Sequence, residues 1–412
     1  MSEKTITVST GSAPRGFKLG KKLFFSLLIL LVLLFLLNLY FSTRTFLKPI
    51  TRDDPELLYA LAEGSEMKVP LGRLYSFQWK EDDLMFHIRI NSGGWRGPLI
   101  SPIPRPGEFR VLCMGDSITM GLGVNDEETF PFQLERFLRQ ARPGRDITVI
   151  NGGVYGYSSQ QGINLLQKRF LAFRPRVVIW AYGWNDSSTD IFIRQRDAKL
   201  IPSAPGGPTP ATWRDRLTQK VENLPLALAI SKYTVIFRVF LGIGKSMEAL
   251  TEAQQSNRAL PNPRLSASDF KNAHVPPAFF SQNLDRVYNL SRLHGFDLVL
   301  VSFYPTPGPY REILRDFSRS HGLTYLDFYQ RFEAMRNSRI IETDPAYREE
   351  FERYRAHLKE HALEGDHMLS FTINGMHPNR IGHSIVASEI GAALLSRLPI
   401  IQEQGDDGTA PN

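Results

Sequence analysis

Apolar positions along this chain follow two distinct rhythms. Short continuous runs rich in Val, Ile and Leu occur at Arg110 to Met114, Ile147 to Asn151, Val177 to Tyr182, Asp297 to Phe303 and Leu323 to Asp327. Such runs predict strands covered on both faces. Between and after them, apolar residues recur with helical spacing over Phe132 to Gln140, Gln160 to Phe173, Phe279 to His294, Tyr310 to Ser320 and His383 to Arg397. In the second of these, Ile163, Leu165, Leu166 and Phe170 share one face. Strand and helix in alternation predict an α/β domain, a parallel sheet with helices on both sides, over residues 108–397.

Two stretches break the alternation. Residues 190–274 open with the loop-forming Ile201-Pro202-Ser203-Ala204-Pro205-Gly206-Gly207-Pro208 and continue into the nearly apolar Leu224 to Ile243. Lys232 and Arg238 interrupt that segment, which favours a lid or core helix over an interfacial helix or a membrane span. Tyr347 to Glu364 reads as a charged helix. Upstream, residues 42–107 form a polar stalk and N-terminal extension, with a strand-like Leu84 to Ile90, the turn-rich Asn91 to Gly97 and a proline-rich Pro102 to Pro106. Residues 398–412 are a polar tail.

The longest apolar run is Leu23 to Phe41, 19 residues whose polar members are Ser26 and Asn38. As a helix it would rise roughly 28 Å, close to the thickness of a hydrocarbon core. A signal peptide would have a shorter apolar stretch and a small-residue cleavage site. The expectation is therefore one uncleaved transmembrane helix, ahead of a cleaved signal or a buried helix. Lys18, Lys21 and Lys22 precede the run, so residues 1–22 are a basic cytoplasmic tail and the domain after residue 42 is extracytoplasmic.

Composition adds exclusions. The net charge of +7 is largely local, since Lys4, Arg15, Lys18, Lys21 and Lys22 stand against Glu3 alone within residues 1–22. No basic face remains for a nucleic acid. Cys113 is the only cysteine, which excludes an intrachain disulfide and reads as a small buried hydrophobe. His357 and His361 are spaced i, i+4 near Asp366 and His367, but no third ligand follows at a metal-binding spacing, so they read as a solvated helix face. No metal or cofactor is expected.

Four blocks carry the candidate chemistry: Gly115-Asp116-Ser117-Ile118, Asn151-Gly152-Gly153-Val154-Tyr155-Gly156, Gly183-Trp184-Asn185-Asp186 and His377-Pro378-Asn379. Each of the first three follows a predicted strand, and ligands of doubly wound sheets bind off the carboxyl ends of strands. Ser117 sits where a strand-to-helix turn exposes its hydroxyl. Gly156 lets an acyl oxygen approach a backbone N–H, and Asn185 offers an amide donor to the same oxygen. His377, before the last helix, reaches the same edge. Taken singly, each block is ordinary turn chemistry; Asp116 and Asp186 read as turn-stabilising, and His383 as packing against or capping the last helix.

In order and spacing these blocks resemble the SGNH/GDSL superfamily of serine esterases and acyltransferases, and Asn91 to Gly97 is similar to a segment of its membrane-anchored bacterial members. The resemblance implies a three-layer α/β/α sandwich with a five-stranded parallel sheet, the flavodoxin-like SGNH hydrolase fold, here preceded by the transmembrane helix. It implies Ser117 as nucleophile, His377 as base, and an oxyanion hole made by Ser117, Gly156 and Asn185. The family's last block is Asp-x-x-His, whereas this chain reads Asn374-Gly375-Met376-His377. In the serine-protease triad, Asp→Asn costs about 10⁴ in rate. Three readings stay open: Asp366 or another acid substitutes; a Ser–His dyad works with Asn374 or a backbone carbonyl as orienter; or the site is impaired and the cleft binds a glycan or protein partner. The implied substrates are acyl esters, with O-acetylated envelope glycans or lipids suggested by the compartment.

Overall fold

A computed structural model describes residues 24–33, 50–70 except 55, 85–187, 273–303, 309–338 and 377–397, with single positions 345, 348 and 352. The segments 190–272 and 353–376, with Leu224 to Ile243, His357, His361, Asp366, His367 and Asn374, lie outside the described residues. So do the tails and part of Leu23 to Phe41. The described part of that run, residues 24–33, is helical with exposed apolar side chains. No helix among the described residues is long and apolar enough to cross a membrane.

The strands are β1 (Thr51–Asp54), β2 (Leu58–Leu61), β3 (Glu66–Pro70), β4 (Met85–Arg89), β5 (Phe109–Gly115), β6 (Ile147–Gly153), β7 (Val177–Ala181), β8 (Asp297–Ser302) and β9 (Thr324–Asp327). The helices are α1 (Ser117–Met120), α2 (Phe130–Ala141), α3 (Ser159–Lys168), α4 (Trp184–Ser187), α5 (Pro277–His294), α6 (Tyr310–His321), α7 (Phe328–Ser338) and α8 (Arg380–Arg397). The last five strands form one parallel sheet, in the order β6-β5-β7-β8-β9. All five expected strands are therefore present, and the chain reverses direction of winding at β5, between β6 and β7.

Because side chains alternate across a strand, each apolar run feeds two cores. Leu112, Met114, Ile150, Val178, Trp180 and Leu300 pack with α3, α5 and α6 on one face. Val111, Cys113, Val149, Ile179 and Val301 pack with α2, α7 and α8 on the other. That is the three-layer sandwich. The apolar face of Gln160 to Phe173 is divided: α3 stops at Lys168, and Phe170–Phe173 form a separate 3₁₀ turn closed by Arg174 at φ +50°.

The segment before the domain corrects the expectation of a stalk. β1 and β2 form an antiparallel hairpin, β3 pairs with β4, and Ile50, Leu57, Ala60, Leu61, Phe86, Ile88 and Ile90 are buried in the same core as α3. β4 falls within the strand-like Leu84 to Ile90, whereas β1 to β3, at four or five residues, carry too few apolar positions to register as a periodic pattern.

Candidate active site

β5 ends at Gly115, and the chain turns directly into α1 with Ser117 as its first residue. Asp116 caps the turn by accepting the Ile118 N–H at Oδ1 over 2.9 Å. Gly121 closes it in the left-handed conformation, φ +86°. The neighbouring strand presses against it: a Cβ on Gly153 would stand 2.2 Å from the Met120 nitrogen, so only glycine fits there.

The other brace comes from the Asn91 to Gly97 turn. Arg96 is fully buried, and all five of its N–H donors are used. Nε bonds Asp126 at 2.7 Å; Nη1 bonds the carbonyls of Met120 and Gly121 at 3.0 and 2.6 Å; Nη2 bonds those of His87 and Val124 at 3.0 and 2.7 Å. A helix end leaves its carbonyls without intrahelical partners, and here one guanidinium collects them. The turn itself was visible in the sequence, but the use of its arginine was not.

His377 is buried in the loop before α8, and its Nε2 lies 2.8 Å from Ser117 Oγ. The loop is fastened by Asn379, whose Oδ1 accepts the Gly382 N–H at 3.0 Å and whose carbonyl accepts the His383 N–H at 2.8 Å. Burial pushes the His377 imidazole down to about 4, so at neutral pH it is uncharged and able to take a proton. His383 serves a different helix from the one it belongs to. Its Nδ1 accepts the Phe130 N–H at 3.2 Å, capping α2, while its ring stacks on Phe130. Burial pushes this imidazole down to about 3.

Gly156 follows β6 in the left-handed conformation, φ +74°. The residue before it, Tyr155, receives a hydrogen bond at its oxygen from the Tyr59 hydroxyl over 2.8 Å. Asn185, in α4, ties the first two blocks together: its Nδ2 donates to Asp116 Oδ2 and to the Tyr157 carbonyl, each at 3.1 Å. Both amide hydrogens are thereby engaged, so delivering one to an acyl oxygen requires exchange of a partner. Asp186 points elsewhere, accepting the N–H and hydroxyl of Ser159 at the start of α3. Desolvation raises Asp116 to about 7, with Asp186 adding to the effect, and raises Asp186 to about 6. Asp116 stabilises its turn, as its residue type suggested, whereas Asp186 holds the start of α3 instead.

The described residues thus bring together Ser117 with His377, and Asn185 with the flanks of Ser117 and Gly156. Asn374, the position of the missing acid, lies outside them. A polar cleft of about 390 Å³ lined by His87, Arg89, Asp126, Glu128, Arg136 and Arg380 shares no residue with the Ser117–His377 pair.

The model of the GDSL-like lipase/acylhydrolase family matches residues 113–385. An acetylxylan esterase of Xylanibacter ruminicola is 30% identical over 105 residues, a match covering 24% of this chain and 21% of that protein. Among solved structures, a lipase/acylhydrolase from Enterococcus faecalis is 14% identical, covering 70% of this chain and 96% of that one, with a TM-score of 0.35. An acetyl xylan esterase is 15% identical, covering 69% of this chain and 100% of that one, with a TM-score of 0.36.

Proposed function

The chain belongs to the GDSL-like lipase/acylhydrolase family, and we propose that it is a membrane-anchored serine esterase or O-acyltransferase acting on acetylated envelope glycans or lipids. The observation that carries this reading is the 2.8 Å approach of Ser117 Oγ to His377 Nε2 at the carboxyl edge of the sheet. Ser117 Oγ attacks the ester carbonyl carbon while its proton passes to His377 Nε2. The oxyanion is met by the N–H of Ser117, which as a first helical residue has no intrahelical acceptor, by that of Gly156, and by Asn185 once one of its bonds exchanges. His377 then protonates the departing alkoxide, leaving an acyl-Ser117 ester. Water, activated by the same imidazole, completes hydrolysis; a sugar hydroxyl in its place completes transfer.

With Asn at 374, the proton transfer is carried by a Ser–His dyad. Burial keeps His377 neutral and so free to receive the proton, but it also lowers the basicity below the near-neutral value that general-base catalysis favours, so a slow dyad is expected. A small acyl group, acetyl first, follows from the acetylxylan esterase relative. The anchor rests on Leu23 to Phe41 and the lysines before it.

The test is hydrolysis of p-nitrophenyl acetate by the full chain in detergent, beside Ser117→Ala. Loss of at least about 10³-fold in kcat in the variant is expected. Equal background rates in both proteins, with no fluorophosphonate labelling of the parent, would transfer the case to the second reading, an impaired cleft that binds its partner, which Asn374 favours. Resistance of the full chain to alkaline extraction from membranes checks the anchor.

A further inference from the structure

We infer that Tyr59, in the N-terminal hairpin, is a positioning residue that aims and polarises the oxyanion amide of Gly156; this rests on the esterase reading of the site. The hairpin lies outside the segment 113–385 that the family model matches. The argument begins with one peptide unit. The bond between Tyr155 and Gly156 is trans, so its C=O and N–H point in opposite directions. The Tyr59 hydroxyl donates to the Tyr155 oxygen at 2.8 Å. Holding the oxygen from the hairpin side directs the Gly156 N–H away from the hairpin. The same hydrogen bond draws electron density toward the carbonyl and makes the N–H a stronger donor.

The contact is close and unforgiving. A Cβ built on Gly156 would stand 2.7 Å from the Tyr59 oxygen. Gly156 also occupies a conformation, φ +74°, that leaves its peptide free to swing unless something fixes it. The hairpin is itself held firmly. Asp54 accepts the N–H groups of Glu56 and Leu57 and pairs with Lys168 Nζ at 3.1 Å; Gln161 Nε2 donates to the Leu57 carbonyl at 2.9 Å. The Tyr157 hydroxyl donates back to the Tyr59 carbonyl, and the Tyr59 ring meets those of Tyr155 and Tyr157 at 5.9 and 5.2 Å. Leu58, immediately before Tyr59, takes φ +69°, unusual for a bulky residue, at the end of a three-residue hairpin loop. A strained backbone is kept where the following side chain has to arrive at one place.

The experiment uses the full chain in detergent with p-nitrophenyl acetate, rates being expressed per site titrated by a fluorophosphonate. Tyr59→Phe keeps the ring and removes the donor. Deleting a whole oxyanion donor costs about 10²–10³ in kcat; loosening one is expected to cost about tenfold, with KM within twofold. Affinity for phenylboronic acid, which forms a tetrahedral adduct on the serine, falls by the same factor. Arg52→Ala, which removes the exposed Arg52–Glu63 pair of the hairpin and leaves Tyr59, Lys168 and Gln161 in place, keeps kcat within twofold. The inference is overturned if Tyr59→Phe turns over like the parent, if Arg52→Ala slows it equally, or if Tyr59→Phe yields no titratable site while Arg52→Ala does. A parent without Ser117-dependent turnover would overturn the esterase reading instead, and the two failures are separate.

Discussion

The two halves of the site are built in different ways. The half that would hold the oxyanion is fixed from several elements at once: Asp116 and Arg96 on the Ser117 turn, Asn185 between that turn and Tyr157, Tyr59 behind Gly156. The half that would move the proton comes from one loop, set by the Asn379 cap at the start of α8 and by the bond to Ser117. Apart from the Asn185 amide, which must exchange a partner, the first half is preorganised by hydrogen bonds that are already made. The second is tuned by burial, which lowers the His377 imidazole to about 4. Charge stabilisation needs fixed dipoles, because dipoles that must reorient during the reaction raise the barrier. Proton transfer needs a basicity near the operating pH, and desolvation alone moves His377 away from it, an effect that a carboxylate beside the ring would reverse.

The largest way to break the contrast is Arg96→Met. Removing the guanidinium takes a buried donor from each of four carbonyls and one of two arginine partners from Asp126, which keeps Arg89. A loss of about 2–4 kcal/mol in unfolding free energy is expected from the carbonyls left short of a buried donor, read from urea titration. Turnover per titrated site should fall as well, because the end of the Ser117 helix is released. Unchanged stability would mean that the nucleophile turn holds itself and that the first half is less over-determined than its bonds imply.

A smaller change acts on the second half. Asn374→Asp supplies the carboxylate that the family pattern places three residues before the base. A negative charge beside an imidazole favours its protonated form. The acid limb of kcat/KM, expected near pH 4 in the parent from the His377 value, should move upward, and kcat should rise by about tenfold, since the archetypal triad values this acid at about 10⁴. A limb that stays in place, with no gain in rate, would show that residue 374 does not face His377.

What the sequence disclosed follows the same division. β5 to β9 were legible because strands covered on both faces must be continuously apolar; Ser117, Gly156 and Asn185 follow such runs, while His377 stands just before the apolar helix α8. The helix α7 carries a legible signal in Phe328, Phe332 and Met335 at i, i+4 and i+7, concealed by its start directly at the end of β9. Arg96 and Tyr59 were not legible in this way. Each acts on backbone groups far along the chain, Met120 and Gly121 in one case and Tyr155 in the other. Carbonyl acceptors belong to every residue, so no side-chain pattern marks them. The partner that gives such a residue its purpose is set only when the fold closes.

The subtlest test concerns the buried charges beneath both halves. Asp116 moves from an ordinary aspartate value of 3.8 to about 7, and Asp186 to about 6, mainly through burial. Between about pH 4 and 7 the folded protein therefore retains protons that the unfolded chain has released, and stability from these groups falls as pH rises. His377 and His383 move from 6.5 to about 4 and about 3. Over pH 4 to 6.5 the unfolded chain binds protons that the folded protein refuses, so stability from these groups rises with pH. The two slopes oppose each other. Asp116→Asn keeps a capping oxygen for the Ile118 N–H while removing one falling slope. Relative to the parent, its unfolding free energy should climb more steeply between pH 4.5 and 6.5, by up to about 1.4 kcal/mol per pH unit for one proton. Parallel curves would mean that Asp116 is ionised throughout. The Asn185 amide would then face a full negative charge, making its exchange onto an acyl oxygen harder and leaving Gly156, with Tyr59 behind it, a larger share of the oxyanion.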